Sequence, residues 1–80
     1  MPELTLYFKP SCPYCSKVKT FMRENKISIQ EKDISADPQN REDLIRIGGK
    51  QQVPCLVIEG TALYESDAII QWFKDNWDAK

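Results

Sequence analysis

In the stretch Leu4-Thr5-Leu6-Tyr7-Phe8-Lys9-Pro10-Ser11-Cys12-Pro13-Tyr14-Cys15, a β-prone run gives way to a helix start carrying two thiols. Leu4 to Phe8 reads as a short strand, and Pro10-Ser11 breaks it. Pro13 suits a first helical turn, where its missing N–H needs no partner. Cys15, Val18, Phe21 and Met22 then share one face at helical spacing in a helix running to about Lys26. Cys12 falls just before or at that helix N-terminus, where unpaired N–H groups and the macrodipole favour a thiolate. Such a position lowers a thiol pKa from about 8.5 into a range of roughly 3.5–7.5. Lys9, with Lys17 or Lys19, adds positive charge in the same direction. Cys15 lies one turn further in, on the apolar face, and is expected to be less exposed. That asymmetry makes Cys12 the attacking thiol and Cys15 the resolving one.

Working outward, Ser28 to Asp33 alternates apolar and polar residues as a strand does. Asp37-Pro38 starts a second helix, with Leu44, Ile45 and Ile47 as its apolar positions and Gly48-Gly49 as its stop. Val53 to Ile58 is nearly all apolar, the pattern of a central strand covered on both faces. Glu59-Gly60 turns the chain, and Thr61 to Tyr64 can return antiparallel. Ser66 is expected to cap a last helix with Asp67 in its first turn. Ile69, Ile70, Trp72, Phe73 and Trp77 give that helix a wide apolar surface. The order is β-α-β-α-β-β-α, an α/β class with a four-stranded mixed sheet, the first β-α-β being parallel through a right-handed crossover. Pro54 opens an interior strand, where proline is normally excluded. A cis Val53-Pro54 bond is the simplest explanation, and a trans proline at the strand's first residue the alternative.

Composition removes several function classes. Eighty residues, 41% apolar and 29% charged, make one globular domain spanning residues 1–80. A net charge of −1 supplies no bulk cationic field for nucleic acid or anionic lipid. No apolar run approaches the roughly 20 residues that a bilayer demands. Met1-Pro2-Glu3 has no signal-peptide character, so a reducing cytoplasm is the expected compartment. Charge is nonetheless uneven: Lys9, Lys17, Lys19, Arg23, Lys26 and Lys32 face only Glu3, Glu24 and Glu31 in the first 32 residues. From residue 51 on, Glu59, Glu65, Asp67, Asp75 and Asp78 outnumber Lys74 and Lys80. This reads either as solvated helix faces or as a local positive field around the first third of the chain.

Three cysteines and no histidine bound the thiol chemistry. An odd count argues against a structural disulfide framework. A closed zinc site takes four Cys or His ligands, and one chain offers three, so no metal site is assigned. A Cys-x-x-Cys pair in a β-α-β setting reads instead as a redox dithiol, with a metal or purely structural pair as the alternative. Cys55 reads as buried core or, alternatively, as a third thiol able to perturb the pair. Asp33 and Lys50 read as solvated, and Trp72, Phe73 and Trp77 as packing.

Together, Lys9-Pro10-Ser11-Cys12-Pro13-Tyr14-Cys15, Val53-Pro54 and Ser66-Asp67 resemble a dithiol glutaredoxin along essentially the whole chain. The resemblance implies a thioredoxin-like fold and a glutathione-dependent oxidoreductase acting on protein–glutathione mixed disulfides and protein disulfides. Its partners would be glutathione and such proteins, and its state a monomer. Glutathione would serve as co-substrate, with no tightly bound cofactor. Carried over by position, Lys9 would meet the glycyl carboxylate, helped by Gln51, and Tyr14 would flank the ligand. Val53, ahead of Pro54, would pair its backbone with the cysteinyl part, and Ser66 and Asp67 would hold the γ-glutamyl end. Two departures stand out. Gln52 replaces the family's usual Thr, and Leu63-Tyr64-Glu65-Ser66-Asp67-Ala68-Ile69 replaces its usual Gly-Gly-Cys-x-Asp. The latter segment is similar to the N-terminal domain of glutathione transferases, in which Glu65 and Ser66 would be the γ-glutamyl ligands. A glutathione-binding transferase module and a glutathione-ligated iron–sulfur dimer are therefore the alternative functions.

Overall fold

A computed structural model describes residues 3–77 of the chain; Met1, Pro2, Asp78 and Lys80, which entered the sequence reading, lie outside them. Elements follow in the expected order: β1 (Leu4–Phe8), α1 (Pro13–Glu24), β2 (Gln30–Asp33), α2 (Pro38–Gly48), β3 (Cys55–Ile58), β4 (Thr61–Tyr64) and α3 (Ser66–Asn76). The four strands form one mixed sheet in the order β2-β1-β3-β4. β1 and β2 are parallel, with Leu6 opposite Glu31; β3 is antiparallel to both β1 and β4, with Leu56 opposite Leu6 and Leu63.

Strand alternation splits the core into two layers. Leu4, Leu6 and Leu56 point to the face where Val18 and Met22 of α1 pack with Ile69 and Phe73 of α3. Tyr7, Cys55 and Val57 point to the other face, under Leu44 of α2 and Ile34. Phe73 is the aromatic centre of the first layer, stacked on Phe21 at 6.4 Å and edge-on to Trp72 and Trp77. The packing reading of these aromatics is thereby met.

Element ends differ from the sequence reading for local reasons. α1 stops at Glu24 rather than near Lys26, because Asn25 takes a non-helical backbone and Lys26 turns to φ 56°. β2 starts at Gln30 rather than Ser28, since its ladder begins only where Gln30 meets Thr5. α2 begins as expected: the Asp37 carboxylate accepts from the Gln39 N–H at 2.9 Å, and Pro38 follows. Gly49 closes it at φ 80°, where a side chain would be strained. Asp33 is more than solvated. Its Oδ1 accepts from Ser35 N, Ser35 Oγ and Ala36 N, which organises the turn after β2 and, through the Ser35 hydroxyl first, lowers the Asp33 pKa.

Candidate functional site

Cys12 is the N-cap of α1, its backbone extended at φ −87° and ψ 118°. The first helical bond runs from Ser16 N to Cys12 O. The Tyr14 and Cys15 amides thus precede the helical ladder, and Pro13 has none to offer. The Cys12 side chain makes no capping bond; its thiol instead donates to the Val53 carbonyl at 3.9 Å. Val53-Pro54 is cis, and β3 starts only after it, at Cys55. Pro54 therefore precedes the strand instead of interrupting its ladder.

Cys15, on the inner face of α1, is 1% exposed. Burial pushes its thiol up to about 12, with the Cys12 side chain adding to the shift and a Lys9 backbone hydrogen bond opposing it. All three thiols are free. Cys55 is fully buried between the sheet and α2, as the packing reading has it, and burial raises its pKa to about 11.

Beside the thiols lies a groove of about 290 Å³ lined by Tyr14, Gln52, Val53, Pro54, Glu65, Ser66 and Asp67. Tyr14, 63% exposed, forms one wall. The opposite wall is the start of α3. Here the sequence reading needs correction: Glu65, not Ser66, is the N-cap, with φ 75° and no side-chain capping bond. Ser66 is the first helical residue and is buried. Ile69 N donates to Glu65 O, so the Ser66, Asp67 and Ala68 amides carry no intrahelical partner, at the end of the helix that favours anions.

Six sequence-derived contacts, Tyr14, Val53, Pro54, Glu65, Ser66 and Asp67, are thus brought together. Lys9 and Gln51 are not among the lining residues. Lys9 borders a second cleft with Cys15, Ser16, Lys19 and Arg23, and Gln51 is exposed on the loop before Gln52. Gln52, noted in sequence only as a departure from pattern, is part of the groove wall; its adjacency to Val53-Pro54 was the available signal. Lys17 and Lys19 are committed elsewhere than Cys12. Lys17 Nζ pairs with Asp67 Oδ1 at 2.5 Å, while Lys19 pairs with Glu31 at 3.2 Å and sits 4.0 Å over the Phe8 ring. Among the described residues no three Cys, Asp or Glu side chains converge as a metal-binding group, and no helix is long and apolar enough to cross a membrane.

The glutaredoxin family model matches residues 4–63. Glutaredoxin 3 of Escherichia coli K12 is 32% identical over 59 residues, covering 74% of this chain and 71% of that protein. The solution structure of a Brucella melitensis glutaredoxin superposes with a TM-score of 0.66 at 25% identity, over 96% of this chain and 83% of the other. Glutathione transferase Omega 3C from Trametes versicolor gives 0.79 at 29% identity, over 94% of this chain but 32% of the transferase. The fold is thioredoxin-like.

Proposed function

The chain belongs to the glutaredoxin family, and from that membership we propose that it is a glutathione-dependent thiol–disulfide oxidoreductase, reducing protein–glutathione mixed disulfides and protein disulfides through Cys12 and Cys15. The observation that carries the reading is the placement of the Cys12 thiol, at a helix N-terminus and in contact with Val53, a residue of the 290 Å³ groove.

The Cys12 thiolate attacks the glutathione-side sulfur of a mixed disulfide. The protein–glutathione S–S bond breaks, the Cys12–glutathione S–S bond forms, and the protein thiolate leaves to take a proton from water. A second glutathione thiolate then attacks the glutathionyl sulfur, giving glutathione disulfide and restoring Cys12. Alternatively the Cys15 thiolate attacks Cys12 sulfur, expelling glutathione, and two further glutathiones reduce the resulting Cys12–Cys15 bond. A Cys15 thiol held near 12 is almost wholly protonated at neutral pH, which favours the first route.

Tyr14 and Pro54 flank the bound tripeptide, and the Val53 backbone pairs with its cysteinyl amide. The amides of Ser66 and Asp67 take the γ-glutamyl carboxylate, and a carboxylate of Glu65 or Asp67 its ammonium group. Lys9 and Gln51, outside the groove lining, would meet the glycyl carboxylate. A resolving Cys15 has a use in disulfide exchange and none in conjugation chemistry, so the oxidoreductase reading is preferred to a transferase module. The protein acts as a monomer, one domain over residues 1–80, in the reducing cytoplasm, with no resident metal. The test is glutathione-dependent reduction of a glutathionylated protein. Turnover lost on Cys12→Ser supports the reading; no turnover by the unaltered protein rejects it.

A further inference from the structure

The second cleft, of about 560 Å³, is larger than the 290 Å³ groove and shares none of its residues. Ser16, Lys19, Thr20 and Arg23 of α1 line it, with Lys9 at the end nearest Cys12, whose N–H donates to the Lys9 carbonyl at 3.1 Å. At about 100° per residue these α1 positions lie on the far side of the helix from Tyr14, which lines the groove. Helix α1 therefore runs between groove and cleft, with Cys12 at its head.

Charge distinguishes the two sides. In the cleft, Lys9, Lys19 and Arg23 stand against one carboxylate, Asp33, whose Oδ1 already accepts from Ser35 and Ala36. Lys9 and Arg23 are exposed and pair with no carboxylate among the described residues; Lys19 is shared with Glu31 at 3.2 Å. Ser16 and Thr20, both exposed, add hydroxyl donors between the cations. The α3 wall of the groove instead presents Glu65 and Asp67, the latter balanced by Lys17. An acidic peptide segment is thus drawn to the cleft side of α1 rather than to the groove.

We propose that this cleft docks the protein half of the substrate, Lys19 and Arg23 taking an Asp or Glu side chain near the substrate cysteine while the groove keeps the glutathionyl half. The proposal rests on the oxidoreductase reading and names a substrate class, proteins with an acidic flank beside the reactive cysteine. Reach sets the spacing. Along α1, Lys19 lies about 10 Å and Arg23 about 16 Å from Cys12 at a rise of about 1.5 Å per residue. An extended substrate chain covers that span in about three to five residues.

The experiment measures kcat/KM on three short peptides, each a mixed disulfide with glutathione, carrying Glu, Gln or Lys four residues from the cysteine. The unaltered protein should favour Glu over Gln by about two- to fivefold, the worth of an exposed ion pair, and Lys should be the poorest. The preference should shrink at 0.5 M salt. Lys19→Gln combined with Arg23→Gln should bring the Glu peptide down to the Gln level while leaving the Gln peptide unchanged. Arg23→Glu should move the preference toward the Lys peptide, a gain that damaged folding does not produce. Unaltered protein that turns over all three peptides equally overturns the docking alone. So does a Glu preference that survives the double substitution, or a double substitution that slows all three peptides equally. No turnover of any peptide overturns the oxidoreductase reading, and the docking with it.

Discussion

The Cys12 thiol donates to the Val53 carbonyl across 41 residues of sequence, Sγ to O 3.9 Å. The contact ties the start of α1 to the loop ahead of β3. A thiolate has no proton to donate, so loss of the Cys12 proton frees the Val53 carbonyl for another donor, such as the cysteinyl N–H of a bound tripeptide.

The three cysteines should separate cleanly by reactivity. Cys12 is partly exposed, whereas Cys15 and Cys55 are buried at 1% and 0% and held as neutral thiols by burial. Brief iodoacetamide treatment of the native protein at pH 7.5 should add one carbamidomethyl group, on Cys12, and three after denaturation. Mass spectrometry of intact protein and peptides reads this directly. Early labelling of Cys55 would place that thiol in the chemistry.

How much of this was legible beforehand follows from how local each signal is. Strand β1, the Pro13 start of α1, the Asp37-Pro38 cap and the Gly48-Gly49 stop are set by neighbouring residues, and each stands within two residues of its expected place. Strand order was not legible, because which strand lies beside β1 depends on pairing across the whole chain. The site divides the same way. Cys12, Tyr14 and Val53-Pro54 are short-range signals, whereas the Lys17–Asp67 pair spans 50 residues and left no trace in sequence spacing. Ser66 has the residue type of a cap, but the chain puts Glu65 there at φ 75°, a backbone region that residue type alone does not announce.

Gly48 is fixed by Tyr64. A Cβ on Gly48 would overlap the Tyr64 hydroxyl and lie 2.7 Å from its Cζ, while that hydroxyl donates to the Lys50 carbonyl at 3.2 Å. Gly48→Ala must therefore push the ring away or break its bond. It should destabilise the protein by about 1–3 kcal/mol in urea unfolding, the usual range for overpacking. Combining it with Tyr64→Ala should give less than the sum of the two losses, since the clash is then gone. Strict additivity would show that the ring is not what excludes a side chain at 48.

Alkaline conditions should weaken the fold. Cys15, Cys55, Tyr7 and Tyr64 all have pKa values raised in the folded protein, burial being the first cause in each. For a group whose folded pKa lies above its unfolded one, the unfolded chain gives up its proton first. Stability is then full below the unfolded value, about 9 for these thiols, and falls as pH climbs toward 11 and 12. Urea midpoints measured from pH 7 to 11 should decline above about 9. Cys55→Ala, although less stable at pH 7 for its lost packing, should show a shallower decline because one of the titrating groups is gone.

The last expectation separates the two thiols of the pair. A mixed disulfide with glutathione needs only Cys12 and a groove that holds the glutathionyl half, because a second glutathione can release Cys12. An ordinary protein disulfide leaves the substrate attached to Cys12, and release then requires an intramolecular attack by Cys15. Burial keeps that thiol protonated, so its attack is slow, but its position one helical turn along gives it a proximity that no free thiol matches. Cys15→Ser should accordingly retain or raise deglutathionylation, since the competing Cys12–Cys15 disulfide can no longer form. On an intermolecular-type protein disulfide the same variant should lose most of its turnover and accumulate a covalent complex visible on a non-reducing gel. The measurement is kcat on both substrates with one protein preparation. Equal loss on both would show that bound glutathione does not serve as the second thiol, and would transfer the whole reaction to the Cys12–Cys15 pair.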